Sequence, residues 1–248
     1  CITERHPQWG LRVLGHKKPR VKELRHKLEE DFMLRRRKSE VLPDLPPIRL
    51  APLYICADLP DGAGVEFLEN LANDDALDML DDEHISTLRR QTEYAKVPEI
   101  VRIIRGDLEN GMKKLVVFAH HHLTLDALSR ALPDISCAYV DGRMNANERQ
   151  DNIDRFQDGS ARVFIGQTHA AGTGLTLHAN GDCSNVLFCS LDFTPAINHQ
   201  AMMRIHRIGQ PNACLVRYAV ASGTFDERVN TILAEKTLRV LDLVEMDL

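Results

Sequence analysis

A short segment near residue 200 concentrates side chains that can bind a polyphosphate. Residues 198–210 read Asn-His-Gln-Ala-Met-Met-Arg-Ile-His-Arg-Ile-Gly-Gln. A helix over 196–207 would place Gln200, Arg204 and Arg207 on one stripe, because their spacing is i, i+4 and i+7. Each guanidinium is a planar fork of donors that stays charged, which suits phosphate oxygens. The apolar neighbours indicate a half-buried helix without acidic partners, which favours an external anion over a surface salt bridge.

A glycine-containing segment at 166–176 is the second candidate for phosphate binding. Gly172, Thr173 and Gly174 form its centre, and small residues let the backbone amides approach a ligand closely. The segment matches neither G-x-G-x-x-G nor G-x-x-x-x-G-K-[ST]. A tight structural turn is therefore an equally good interpretation, and the segment is not a complete nucleotide-binding loop by itself.

Three consecutive histidines, His120, His121 and His122, raise the question of a metal site. Adjacent residues cannot all point at one ion, and no partner ligands are spaced nearby. No metal site is therefore predicted. A strand-end histidine that contacts a phosphate or caps a helix is the favoured interpretation.

Alternating apolar runs and helical segments from residue 114 onward must position these side chains. Short apolar runs of this kind are typical of strands buried on both faces of a parallel sheet, whose functional loops lie at the carboxyl ends. Asn145 with Glu148, and Thr224 with Glu227, have capping-box spacing. The predicted strands are 115–119, 135–140, 162–166, 186–190 and 214–220. The predicted helices are 123–132, 145–157, 196–207 and 224–243.

The first hundred residues have a different pattern. Apolar spacing predicts helices over 19–33 and 97–108, a strand over 48–57, and an acidic, helical stretch over 64–95. Between the first helix and the strand lie a basic run and three prolines, which force an extended crossing.

Composition limits the class of protein. The chain has 248 residues, 44% of them hydrophobic, and a net charge of −5, which excludes disordered and nucleic-acid-coating proteins. Its first 49 residues carry 13 Lys/Arg against 7 Asp/Glu, which leaves room for a local phosphate contact. Six cysteines without a C-x-x-C pair indicate buried thiols in a reducing compartment. No apolar run approaches the roughly 20 residues of a membrane span, and the start without Met or signal region indicates a fragment that is not secreted.

The phosphate-binding candidates resemble motifs of the Swi/Snf-related ATPases of helicase superfamily two. Residues 200–210 are similar to motif VI, residues 168–177 to motif V, and residues 114–121 to motif IV. Val140-Asp141-Gly142, residues 191–196, and the Arg/Pro-rich segment 33–46 resemble further parts of the family in the correct order. Residues 95–98 and the histidine pair are most similar to the annealing-helicase branch.

This resemblance implies an α/β, RecA-like three-layer domain with a central, mainly parallel sheet over 48–248. Residues 1–47 would be the end of a first motor lobe and a helical or extended linker. The chain would be the second motor lobe of an ATP-dependent double-stranded-DNA translocase or remodeller, with fork annealing as one form. In a eukaryote it would be nuclear, and in a prokaryote or phage it would lie in the cytoplasm or nucleoid.

The resemblance also implies roles for individual residues. Arg204 and Arg207 would be catalytic, and Gln200 with Gly172, Thr173 and Gly174 would bind ATP. Partners would be the first lobe of the same protein and DNA, with no membrane and no required oligomer. The first lobe would hold Mg²⁺, so this fragment alone is expected to be inactive. The contacts to DNA phosphates would come from His120, His121, Gly142, Arg143, Thr168 and His169.

Several departures from the family pattern leave alternatives open. Gln167-Thr168-His169 replaces Ser-Thr-Lys/Arg of motif V, and Phe193 replaces a usual Trp. The sequence has no Walker A pattern, and residues 81–84 only echo a DEAH box, because they follow the Arg-rich segment. A stand-alone interaction module with the same fold is one alternative. A metabolic α/β enzyme that binds a dinucleotide at Gly172–Gly174 is another.

Overall fold

The computed structural model describes residues 2–6, 10–15, 38–57, 82–172 and 174–224, with parts of 23–31 and 226–233. The chain divides into two compact units, Cys1–Asp44 with Leu233–Leu248, and Leu45–Ile232. In the first unit, strands β1 (Ile2–His6) and β2 (Gly10–Gly15) pair antiparallel, and α1 spans Lys38–Val41. Most of the helix predicted over 19–33, the stretch 64–81 and the end of the last predicted helix lie outside the described residues.

The second unit alternates strands and helices. Its strands are β3 (Ile48–Ile55), β4 (Leu115–Ala119), β5 (Cys137–Val140), β6 (Val163–Gln167), β7 (Asn185–Phe188) and β8 (Cys214–Ala221). Its helices are α2 (Asp82–Ala95), α3 (Val97–Glu109), α4 (His122–Ala131), α5 (Ala146–Gln157), α6 (Thr168–Ala171) and α7 (Pro195–Met202).

These six strands form one parallel sheet in the order β3-β8-β7-β4-β6-β5. The central strand β4 has its five residues buried, as expected for a strand covered on both faces. Val117, for example, pairs with Ile165 of β6 on one side and Leu187 of β7 on the other. The α/β class and the strands predicted from the apolar runs are therefore confirmed.

Helices cover both faces of the sheet and so create two cores. On one face, α3 and α4 contribute Ile100, Ile104 and Leu128 against Val117 of β4. On the other face lie Phe118 and Phe164 of the sheet with the side chains of α5 and α7. The result is the three-layer RecA-like arrangement.

The amino end of α5 begins with the predicted capping box. Asn145 accepts hydrogen bonds from the backbone N–H groups of Asn147 and Glu148, both at 3.0 Å, and the Glu148 carboxylate accepts the Asn145 N–H. At the second predicted box, Thr224 accepts the Asp226 N–H through its hydroxyl. Both signals therefore mark helix starts, although only the first has the complete reciprocal pair among the described residues.

Helix α7 is shorter than the sequence predicts. It ends at Met202, and residues 203–209 form turns, so the prediction of a helix to residue 207 was wrong. The physical reason is that the Arg204 carbonyl, which would accept the N–H of residue 208 in a longer helix, accepts the Leu177 N–H at 2.8 Å. The stripe of Gln200, Arg204 and Arg207 on one helix face therefore does not exist.

The cysteines of the sheet region follow the predicted burial. Cys137, Cys183, Cys189 and Cys214 are buried free thiols, whereas Cys56 is exposed. Burial raises the pKa of Cys183 to about 12, which keeps that thiol protonated and unreactive. Among the described helices, none is both long and apolar enough to cross a bilayer.

Candidate functional site

The loops that follow four neighbouring strands meet at one edge of the sheet. Strands β7, β4, β6 and β5 are consecutive and parallel, so their carboxyl ends share that edge. Three of these loops contain the residues that the family resemblance assigns to DNA phosphates. The structure therefore brings together His120, His121, Gly142, Arg143, Thr168 and His169.

A buried carboxylate supports the first of these loops. Glu93 of α2 is fully buried, and its oxygens accept the backbone N–H groups of His120 at 3.1 Å and His121 at 3.0 Å. Because His121 is the N-cap of α4, Glu93 supplies the negative charge that a helix start favours. Burial alone would raise the pKa of Glu93, but the hydrogen bond and charge of His121, with Lys96 nearby, lower it to about 2.

Two histidines from different strands converge on one aspartate beyond β7. His169 Nε2 lies 2.9 Å from Asp192 Oδ2, and His120 Nδ1 lies 3.6 Å from the same oxygen. The other carboxylate oxygen of Asp192 accepts the Thr194 N–H at 2.8 Å. Burial, the positive charge of Arg89 and the nearby His121 lower the pKa of His120 to about 4, so its imidazole is neutral at pH 7.

The loops after β4, β5 and β6 are joined by the amide of Gln167. Its Nε2 donates to the His120 carbonyl at 3.2 Å, and its Oε1 accepts the Gly142 N–H at 3.1 Å. The next residue, Thr168, is 1% exposed and donates its hydroxyl to the Ala119 carbonyl. The Thr168 side chain therefore faces the core, whereas His169 is exposed.

Arg143 lies in an acidic environment. Its guanidinium contacts Asp126 Oδ1 at 2.6 Å and Asp141 Oδ2 at 2.6 Å, and the Asp141 carboxylate is also 3.5 Å from His122 Nδ1. The two carboxylates raise the pKa of Arg143 above its ordinary value. A phosphate at this position would therefore have to compete with two carboxylates for one guanidinium.

The glycine segment and the turns after α7 pack directly on each other. Arg204 is 8% exposed, and its guanidinium donates to the carbonyls of Gly172 at 2.9 Å and Leu175 at 3.3 Å. The expectation that a buried Arg204 needs an external anion is therefore incorrect, because backbone carbonyls satisfy these donors. The geometry makes Arg204 the residue that fixes the conformation of the loop at 172–177.

Arg207 has a different position. It is half-buried, and its Nη1 donates to the Thr176 hydroxyl at 3.1 Å. Gly174 has a φ of +73°, a conformation that favours glycine, and Thr173 lies outside the described residues. Gln200 is exposed on α7. The structure thus places the Arg207 side chain against the loop 172–177. Because α7 ends before Arg207, no helix aligns it with Gln200.

The electrostatics of this second group favour an anion. Burial lowers the pKa of Arg204, and the positive charge of Arg207 lowers it further, so the two guanidiniums are close enough to repel each other. Among residues 82–172 and 174–224, no carboxylate lies within ion-pair distance of either arginine. A polyanion next to Arg207 would relieve this repulsion.

The sequence patterns did not predict the buried residues that support the site. No sequence pattern indicates a role for Glu93 or Asn198, although Asn198 accepts the Asp192 N–H and donates to the Asp192 carbonyl, both at 2.8 Å. Lys96 was noted only within a motif, yet it is fully buried and bonds to Asp226 at 2.6 Å. The available signal was the position of Glu93 and Lys96, two charges among the apolar residues that join α2 and α3.

Comparisons with known proteins agree with the fold and the motifs. Residues 95–209 match the family model described as the helicase conserved C-terminal domain. The C-terminal part of the Fun30 ATPase domain has a TM-score of 0.51 at 18% identity, and the match covers 88% of this chain and 65% of that one. At that identity the structural match shows the fold alone.

Two groups of curated relatives match at higher identity. The human (Homo sapiens) DNA annealing helicase and endonuclease ZRANB3 is 34% identical over 234 residues, 90% of this chain and 21% of that protein. The Xenopus tropicalis SWI/SNF-related matrix-associated actin-dependent regulator of chromatin subfamily A-like protein 1 is 32% identical over 244 residues, 95% of this chain and 25% of that protein. The chain thus spans about a fifth to a quarter of the length of these relatives.

The fold and the matched residues define the class as a RecA-like helicase C-terminal domain. Within this class, the chain is similar to the Swi/Snf-related helicases, since these relatives align over at least nine-tenths of its length. The resemblance inferred from the motifs is therefore confirmed.

Proposed function

We propose that this chain is the second motor lobe of an ATP-dependent double-stranded-DNA translocase or remodeller. The observation that carries the proposal is the pair of arginines after α7. Arg204 donates hydrogen bonds to two backbone carbonyls of the loop 172–177. Arg207 is half-buried against the same loop and donates to the Thr176 hydroxyl. The names of the relatives, a DNA annealing helicase and a chromatin regulator, support DNA remodelling as the activity.

Arg207 is the residue that would act on ATP. A first lobe would hold the nucleotide and its Mg²⁺, which neutralises charge on the phosphates. When the two lobes close, the Arg207 guanidinium would reach the γ-phosphoryl group and stabilise the charge that spreads over its oxygens during transfer to water. Gly172, Thr173, Gly174 and Gln200 would lie at the rim of the same cleft.

Arg204 is a positioning residue in this proposal. Its Nε and Nη1 donate to the carbonyls of Gly172 and Leu175, so it sets the shape of the loop that Arg207 contacts. In this proposal Arg207 is the arginine finger, and Arg204 supports the loop that Arg207 contacts. Opening and closing of the lobes with each ATP would then move the protein along DNA.

The edge formed by the carboxyl ends of β4, β5 and β6 would face the phosphates of one DNA strand. His120, His121, Gly142, Arg143 and His169 are the candidate contacts. Because Asp126, Asp141, Glu93 and Asp192 lie among them, the attraction for DNA should be modest. The isolated chain should bind a duplex weakly, without sequence preference, and with an affinity that falls as salt increases.

One substitution tests this edge directly. Asp126→Asn should tighten duplex binding about two- to fivefold, the factor that corresponds to a strong surface ion pair, because it removes one competitor for Arg143. The measurement is fluorescence anisotropy of a labelled 20- to 30-base-pair duplex, roughly a standard site length, over a salt series. Asp134→Asn is the matched control, since Asp134 pairs with Arg105 away from this edge.

The outcomes separate clearly. Tighter binding by Asp126→Asn, with no change in Asp134→Asn, supports phosphate contact at Arg143. Equal effects of both substitutions, or an affinity that persists at high salt and varies with base sequence, would contradict it.

A further inference from the structure

Three side chains at the same sheet edge converge as a metal site would require. His120 Nδ1, His169 Nε2 and Asp192 Oδ2 all lie within 4.8 Å of one another, and they come from the ends of three neighbouring strands. The geometry points to a binding site for one divalent transition-metal ion such as Zn²⁺. This inference does not rest on the proposed function, although it uses His120 and His169, two of the candidate DNA contacts.

The distances between the donor atoms suit such an ion. Tetrahedral zinc with nitrogen and oxygen ligands places those ligands about 3.3–3.5 Å apart. Asp192 Oδ2 is 2.9 Å from His169 Nε2 and 3.6 Å from His120 Nδ1, so the observed values bracket that separation. His169 Nε2 already shares a hydrogen bond with Asp192 Oδ2, and the remaining pair of donor atoms, His120 Nδ1 and His169 Nε2, lies within 4.8 Å. Small rotations of the side chains would complete the geometry.

One donor atom lacks any other partner in the described part of the chain. His120 Nδ1 is buried and accepts or donates no hydrogen bond. A buried polar atom left in this way costs free energy unless a ligand satisfies it. Bound metal would supply that missing interaction.

Surrounding contacts orient the Asp192 carboxylate toward the two histidines. Asp192 is nearly buried; its Oδ1 accepts the Thr194 N–H, and Asn198 holds its backbone on both sides, which leaves Oδ2 directed at the histidines. Such outer contacts orient metal ligands and sharpen their affinity. Arg89 is a nearby cation; it donates to the Leu191 carbonyl, and its guanidinium carbon lies 4.2 Å from the centre of the Phe193 ring.

The donor set selects the type of ion. Two imidazoles and one carboxylate suit Zn²⁺ and related ions, whereas Mg²⁺ prefers oxygen ligands. Three protein ligands leave a tetrahedral ion one open position, and the half-exposed His169 side chain gives access from solvent. The three adjacent histidines alone predict no metal site; the proposed site uses one of them with residues that follow two other strands.

Titration with Co²⁺, followed by displacement with Zn²⁺, tests the site in the 248-residue chain. A Cys56→Ser background removes the exposed thiol found among the described cysteines. We expect one ion per chain, with the visible absorption of four-coordinate Co²⁺. His169→Ala and Asp192→Asn should each weaken binding by about 100-fold or more, beyond the loss seen for an outer-contact residue. His122→Ala is the matched control, because His122 faces Asp141, and should bind as the parent does.

Each outcome decides the inference. His169 is exposed, so His169→Ala should stay folded, and its melting curve without metal should match that of the parent. Loss of the absorption in His169→Ala and Asp192→Asn, but not in His122→Ala, supports the site. Absence of stoichiometric binding in the folded parent, or equal binding by all variants, would overturn it.

Discussion

Arg207→Ala in the complete two-lobe protein should reduce DNA-stimulated ATP hydrolysis by roughly 10³- to 10⁵-fold, the range known for arginine fingers. The guanidinium acts mainly on charge that develops in the transition state, so ground-state ATP binding should stay nearly unchanged. Folding should also be unaffected, because Arg207 is half-buried and makes one hydrogen bond to a hydroxyl. Single-turnover hydrolysis and equilibrium binding of a fluorescent ATP analogue measure the two quantities separately.

Two further variants make this result specific. Arg207→Lys should restore little activity, because an ammonium cannot reproduce the planar fork of donors. Arg102→Ala is the matched control; Arg102 is an exposed arginine paired with Glu99 on α3, and its loss should leave hydrolysis unchanged. Near wild-type hydrolysis by Arg207→Ala would mean that Arg207 is structural.

Lys96→Met should destabilise the unit 45–232 by about 3–5 kcal/mol, the cost of leaving a buried charge without its partner. Lys96 is fully buried between α2 and α3, and its ammonium donates to Ser190, to the Ala219 carbonyl and to Asp226. Methionine fills the volume but leaves the Asp226 carboxylate uncompensated. Urea unfolding of the parent and the variant measures the difference in the free energy of unfolding.

Two comparisons test that explanation. Lys113→Met removes an ammonium that pairs with Asp182 at 2.7 Å on the surface, and should change stability little because solvent screens this pair. Adding Asp226→Asn to Lys96→Met should recover part of the loss, since the unpaired charge is then gone. A Lys96→Met protein as stable as Lys113→Met would show that the buried pair contributes nothing.

Much of the fold could be predicted because each strand of the parallel sheet leaves a local signal. Strands β4 and β6 are short apolar runs, and their burial on both faces follows from that composition alone. The start of α5 was likewise marked by Asn145 and Glu148, which satisfy each other within one turn. Such features depend on neighbours in the chain, so spacing is sufficient to find them.

The remainder depends on contacts between distant segments. Helix α7 ends at Met202 because the Leu177 N–H takes the Arg204 carbonyl, a contact across 27 positions that no spacing rule contains. The hydroxyl of Thr168, which directly follows β6, donates to the Ala119 carbonyl at the end of β4, a contact across 49 positions. The hairpin of β1 and β2 was not predicted either.

The same distinction between local patterns and long-range contacts applies to the candidate site. The motifs predicted which loops matter, and the parallel sheet then brought the loops after β4, β5 and β6 to one edge. The motifs could not predict that Glu93 supports these loops, or that His120 and His169 converge on Asp192. Those contacts join residues up to 72 positions apart in the chain.

The central claim, that this chain supplies one half of an ATPase site, is tested most directly by ATP turnover of the 248-residue chain beside that of the two-lobe protein. Both are assayed at saturating ATP with the same duplex DNA. The account predicts DNA-stimulated hydrolysis by the two-lobe protein and none by the chain alone, since its sequence holds no G-x-x-x-x-G-K-[ST] loop. Turnover by the purified chain alone that disappears in Arg207→Ala would contradict the claim, because the chain would then carry a complete catalytic site.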